Sequence, residues 1–422
     1  MCTIVSEKIN IKQHNIMNKF STGILLVTAL FFYYFSNGQD KDNDLLLFKC
    51  DSNFFINAKE SIGYDSLFKK FNRLQISGNE QIRILQVGDS HIQADLLTCE
   101  IRRNFAKTFF NLTEPPAIAF PYGILKSNNP YAVSVICNGN WTGYSVAQKS
   151  QFSSLLGLTA CSHDTCLSKI MIHVRTQEDS NASFSKLLVF CNDDSSHIAL
   201  NTVIPSIHRI HIFNDSIFCH EFIYNCYTDS TTLFFKVFSD TFEFKLYGII
   251  PFNDDPGIMY HTLGINGAKA SLFNNTLLPS FIKYMHYDWV ILSLGTNDCY
   301  LPAFDSISVS QSFQTLLASI RQDNPNIAIL LTTPMSHYRK KNIINSNVIS
   351  MKNIMLDIVT KNHAAVWDFY TVSGGETGMS QWNLGHLSAP DKLHLNTHGY
   401  QLQGDLFFDA FLNTYMENIS KP

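Results

Sequence analysis

Charge is scarce in this chain: only 16% of its 422 residues are Asp, Glu, Lys or Arg, and the formal net charge is −4. That balance argues against nucleic acid as a partner, because phosphate binding is dominated by Lys and Arg, while leaving an anionic glycan open. No Cys-x-x-Cys occurs, which argues against a structural zinc site. Long repeats and low-complexity tracts are absent as well. The apolar stretch Gly23 to Phe35 is too short for a comfortable membrane span. Preceded by Lys19 and followed by Ser36-Asn37-Gly38-Gln39, it reads as a secretory signal peptide over residues 1–38, with Met17 as an alternative start and an uncleaved anchor as the alternative fate. No cysteine sits at that junction, which argues against a lipoprotein anchor.

Ten cysteines are present, and the nine that remain once Cys2 leaves with the leader cannot all pair. Cys161 and Cys166 flank a short polar loop and are the expected disulfide. Cys191 and Cys219 lie in apolar strands and are expected as buried thiols. With 45% apolar residues the chain can bury a full core, and its length exceeds one ordinary domain, so two are expected.

The most informative segment is Gly88-Asp89-Ser90-His91, where the apolar run of Ile82, Ile84, Leu85 and Val87 stops abruptly. It places a serine hydroxyl at a strand-to-helix turn, where backbone N–H groups are unpaired and can face a substrate. A serine needs a base, the base an orienting group, and the developing oxyanion a set of donors. Asp391-Lys392-Leu393-His394 puts a carboxylate three residues before an imidazole, so that Asp391 can hold Nδ1–H while Nε2 faces Ser90. Trp289 to Ser293 reads as a buried strand running into Gly295-Thr296-Asn297-Asp298, where the Asn297 amide suits an oxyanion donor. Upstream, Leu263-Gly264-Ile265-Asn266-Gly267 lets backbone approach a ligand, with Gly267 as the third donor beside the Ser90 N–H and Gly264 as the alternative.

These four blocks resemble those of the SGNH (GDSL-type) hydrolases, in that family's order, over about residues 80–145 and 257–415. The resemblance implies a flavodoxin-like three-layer α/β/α fold and a serine ester hydrolase that needs neither metal nor cofactor. One departure is His91, where many members carry leucine; it follows the nucleophile and is expected to leave the triad undisturbed. The long gap between Ser90 and Gly267 exceeds what a helix and a strand require, so a module has been inserted. That layout resembles the peptidoglycan O-acetylesterases of the class, whose insert is similar to a carbohydrate-binding module.

The expected fold class is therefore α/β: a hydrolase domain in two parts, 39–148 and 255–422, around an antiparallel β-sandwich at 149–254. Within the insert Ile170, Ile172 and Val174 alternate with Met171, His173 and Arg175, the period of half-buried strands. Its aromatics, including Phe184, Phe222, Tyr224, Phe234 and Phe238, are expected to pack inward rather than form a sugar platform. The aromatic segment Phe120 to Trp141 is likewise assigned to packing against the insert. A helix is expected from His91 to Phe110, further helices at Phe313–Ile320 and Val348–Val359, strands at Ile327–Leu331 and Ala365–Phe369, and a terminal helix opening near His398.

Other assignments compete. His398 lacks an aspartate three residues before it and is given to the helix start; Asp89 and Asp298 are expected to shape their turns. Ser336 to Asn342, with Arg339, Lys340 and Lys341, reads as a solvated loop, a weak attraction for acidic glycan being the alternative. A binuclear metallophosphoesterase needs more converging ligands than Asp89, His91, Asn297 and Asp298 supply, and its Gly-Asn-His block is missing. The α/β-hydrolase elbow lacks its second glycine. A non-catalytic glycan-binding protein would not need Ser90, Gly267, Asn297, Asp391 and His394 together. The expected protein is thus a monomeric exported esterase, periplasmic or envelope-associated, acting on an acetylated glycan such as peptidoglycan. Another acetylated polysaccharide and a lipid or thioester follow as substrates.

Overall fold

The computed structural model describes residues 52–109, 118–148, 154–175 and 183–419. The expected leader at 1–38 lies outside them. Five parallel strands form the central sheet: Gln81–Gly88, Gly257–Gly264, Trp289–Ser293, Ala328–Thr332 and Ala365–Trp367. Taken in chain order they lie side by side as second, first, third, fourth, fifth, the flavodoxin-like arrangement. Phe55–Ile56 adds a short antiparallel edge beside Ala365–Trp367.

Strand periodicity sorts the side chains onto two faces. Leu85, Val87, Val290, Leu292, Ile329 and Leu331 share one apolar core with helices Leu278–Tyr284, Ser306–Asp323 and Asn347–Lys361. Trp289 points the other way, against Tyr64, Phe407 and Phe411 of helices Tyr64–Ser77 and Thr397–Ile419. A run of rings, Phe68, Phe71, Phe105, Phe109, Phe411 and Tyr415, closes that second layer with helix Leu96–Phe109. The result is a three-layer α/β/α domain.

Among the described residues the inserted segment forms two antiparallel sheets of six and four strands. Its strands begin at Val133–Cys137 and Thr142–Ser145, ahead of the expected boundary at 149, and end at Phe244–Phe252. Strand Ser168–Val174 alternates buried and exposed side chains as its sequence requires. Phe184, Phe222 and Tyr224 are buried in the sandwich, and Trp141 packs on Phe235, whereas Phe238 is exposed. Phe120 and Tyr122 of the aromatic segment are buried too, whereas Tyr131 is exposed. Phe190 meets Phe281 and Tyr284, so the sandwich and the hydrolase domain share a continuous core.

Two further expectations are corrected. The helix expected from His91 to Phe110 is two helices, Ser90–Gln93 and Leu96–Phe109. The break falls at Asp95, which adopts φ 60° and whose fully buried carboxylate takes hydrogen bonds from Thr98, Arg102 and the Ala132 N–H. Cys161 and Cys166 are both free thiols. Cys161 is buried in strand Leu158–Ser162, while Cys166 is exposed and the loop between them is closed instead by Asp164, which accepts from the Cys166 and Asn140 N–H groups. Cys191 and Cys219 are buried free thiols, as expected.

Candidate active site

Three neighbouring strands deliver their C-terminal ends to one place, where the strand order reverses and open α/β sheets bind ligands. Gln81–Gly88 leads into Ser90, the first residue of its helix, so the Ser90 N–H has no acceptor within that helix. Trp289–Ser293 leads into the Asn297 turn and Gly257–Gly264 into the Gly267 turn. Asp391 and His394 arrive from the turn that precedes helix Thr397–Ile419.

Ser90 Oγ lies 2.9 Å from His394 Nε2, and His394 Nδ1 lies 2.7 Å from Asp391 Oδ2. A carboxylate only accepts, so Nδ1 carries the ring proton and Nε2 is left to accept from the hydroxyl. The other carboxylate oxygen, Oδ1, accepts the N–H groups of Leu393 and His394, both at 2.9 Å. Burial pushes the Asp391 carboxyl up, but the His394 ring and these N–H groups outweigh it and hold the group below the usual carboxylate range. This chain of contacts is what removal of a serine proton requires.

Asn297 Nδ2 donates to Asp89 Oδ2 at 3.1 Å and keeps a second N–H for a ligand. Asp89 is fully buried, its other oxygen accepting from His91 N, so it ties the serine turn to the asparagine turn; burial raises its carboxyl to about 7. Asp298 points away and accepts from Ala270 N, with burial raising it to about 6. Gly267 adopts φ 78°, a conformation that favours glycine, and its N–H has no partner among the described residues. Gly264 sits deeper: a Cβ there would come within 2.1 Å of Gln93 N. His398 is exposed at the start of the last helix, near Gln401. Among the described residues no three His, Cys, Asp or Glu side chains are grouped as metal ligands would be.

Sequence reasoning missed several supporting groups. Buried Gln93, one turn after Ser90, accepts the Asn266 N–H at 2.9 Å and donates to Ser127 Oγ and Asn128 O, so the Gly267 turn is moored to the helix that carries Ser90. His91 bonds to the Tyr400 hydroxyl at 2.9 Å and its ring lies 4.9 Å from that of His394. Burial, reinforced by His394 and His337, lowers its imidazole to about 3, so it packs against His394 as a neutral ring. Buried His337, held by Met335 O and Asn345 Nδ2, is lowered to about 4 by burial. Beneath the site a polar chain, Tyr260–Gln86–Ser293–Thr332, crosses four strands.

Fold and site are similar to those of the SGNH-type hydrolases. Residues 251–402 match the GDSL-like lipase/acylhydrolase family. Over 89% of this chain and 100% of the other, the structure is similar to that of a peptidoglycan O-acetylesterase, with a TM-score of 0.68 at 20% identity. A carbohydrate esterase family 3 protein from Talaromyces cellulolyticus matches over 40% of this chain and 76% of its own, at 17% identity and a TM-score of 0.30. No curated protein sequence matches the chain.

Proposed function

We propose that the protein is a serine esterase that removes O-acyl groups, chiefly O-acetyl, from a cell-envelope glycan such as peptidoglycan. The observation that carries this reading is the unbroken contact from Ser90 Oγ through His394 to Asp391. His394 takes the hydroxyl proton through Nε2 as Ser90 attacks the ester carbonyl, and Asp391 stabilises the imidazolium. The tetrahedral oxyanion is received by the Ser90 N–H, the Gly267 N–H and Asn297 Nδ2. His394 then returns the proton to the departing sugar hydroxyl, and water attacks the acyl-enzyme by the same route. The choice of glycan is supported by likeness in fold to a peptidoglycan O-acetylesterase over a span that includes the inserted sandwich. In this reading the protein is exported and works as a monomer in the periplasm or cell envelope, without a cofactor.

The decisive experiment is acetate release from purified O-acetylated peptidoglycan and from acetylated xylan, with the Ser90→Ala protein as blank. Faster release from peptidoglycan is expected; equal or faster release from xylan overturns the choice of polymer. Asn297→Ala is expected to lower kcat by about 10²–10³, the cost of one oxyanion donor, with KM little changed. Steady-state rates on a small acetyl ester check this, and a loss confined to KM would remove Asn297 from the oxyanion hole.

A further inference from the structure

We propose that the hairpin Tyr338–Ile344 is an anion-recognition element centred on Arg339, so that the esters this protein hydrolyses best carry a carboxylate near the acyl group. The proposal deepens the Ser90 mechanism above and rests on it. The hairpin is tied to both sides of the site. On one side the Tyr338 N–H donates to Lys392 O at 2.9 Å, between Asp391 and His394 in the chain. On the other, Asn345 Nδ2 and Asn347 Nδ2 donate to Cys299 O at 3.0 and 3.2 Å, two residues past Asn297. The hairpin therefore lies between the turn that carries Asp391 and His394 and the turn that carries Asn297.

Its charges lack counterparts. Nε and Nη1 of Arg339 are shielded from water and have no hydrogen-bond partner. A guanidinium stays charged and offers donors only, so such a pair of N–H groups is costly until an acceptor arrives. Among the described residues none of Arg339, Lys340, Lys341 or Lys392 has a carboxylate within ion-pair distance, although the chain as a whole is net negative. The Lys392 ammonium rests instead over the Tyr338 ring, 5.1 Å from its centre. Lys340, Lys341 and Lys392 all hold left-handed backbone, at φ 51°, 69° and 54°, where a turn made only to reverse the chain would favour glycine or asparagine. A carboxylate matches the fork of an arginine and is held there by charge-assisted bonds.

The test uses the pair 6-O-acetyl-N-acetylmuramic acid and 6-O-acetyl-N-acetylglucosamine, which differ by the lactyl ether at O3 that carries the carboxylate. For the intact protein at low salt, kcat/KM is expected to favour the acid by about 10- to 100-fold, as for a hydrogen-bonded charge pair. That ratio should shrink in 1 M salt, where the screening length is about 3 Å. Arg339→Gln is expected to bring the ratio towards one, with thermal melting as the check on folding. Lys340→Gln/Lys341→Gln, on exposed side chains, keeps the test open should the arginine variant fold poorly, and is expected to lower the ratio by a smaller factor. A ratio near one in the intact protein, or a ratio untouched by both variants, overturns the proposal while leaving Ser90 as nucleophile. Turnover that survives in Ser90→Ala overturns the underlying mechanism instead.

Discussion

Replacing Ser90 by alanine is expected to lower kcat on a small acetyl ester by about 10⁶, with His394→Ala close behind and the double variant no worse than either. The lack of additivity follows from the geometry. The hydroxyl lies 2.9 Å from Nε2, and neither group does the chemistry without the other. Without Oγ there is nothing for the imidazole to deprotonate, and without the imidazole the hydroxyl keeps its proton. What remains is the rate due to binding and to the oxyanion donors, about 10³–10⁴ above water. Stopped-flow or long-incubation assays on p-nitrophenyl acetate, with melting temperatures to confirm folding, measure both. A loss of less than tenfold in either single variant would sink the assignment of the nucleophile or the base.

Asp391→Asn is expected to cost about 10⁴ in kcat, although the side chain keeps its size. Asp391 serves three N–H groups: Oδ2 takes Nδ1–H of His394, and Oδ1 takes the backbone N–H groups of Leu393 and His394. An asparagine has one oxygen and one NH₂. If its oxygen stays on the backbone, the NH₂ faces Nδ1 and favours the tautomer in which Nε2 bears the proton and can no longer accept from Ser90. If the amide turns over, the two backbone N–H groups lose their acceptor and the turn that carries His394 loosens. Either outcome lowers kcat on the ester far more than KM. A variant retaining more than a tenth of the parent kcat would show that the imidazole is oriented by something else.

The sheet was legible because its parallel strands are buried on both faces and read as continuous apolar runs that stop at glycines. Gly88-Asp89-Ser90, Asn297 and Asp391-x-x-His394 stood out because each sits at such a stop or just before the final helix. What escaped was tertiary. Nothing in the spacing of Gln93 and Asn266, or of His91 and Tyr400, announces that they touch, since these pairs lie far apart in the chain. Helical periodicity carries straight through Asp95, and only its buried partners show why the backbone turns there. The sandwich starts earlier than expected because Val133–Cys137 and Thr142–Ser145 are short and end in turns, so their alternation is brief. The cysteine pairing failed because closeness in sequence says nothing about which side of a strand a thiol faces.

The edge strand Gly257–Gly264 lies beside Gln81–Gly88 yet is synthesised only after the whole sandwich has emerged. Ser90 and His394 are themselves 304 positions apart. Contacts of such separation form late in folding. Ser90, Gly267, Asn297 and His394 can therefore come together only once the chain has been made through residue 394. The insertion thus separates the first of these four residues in the chain from the other three.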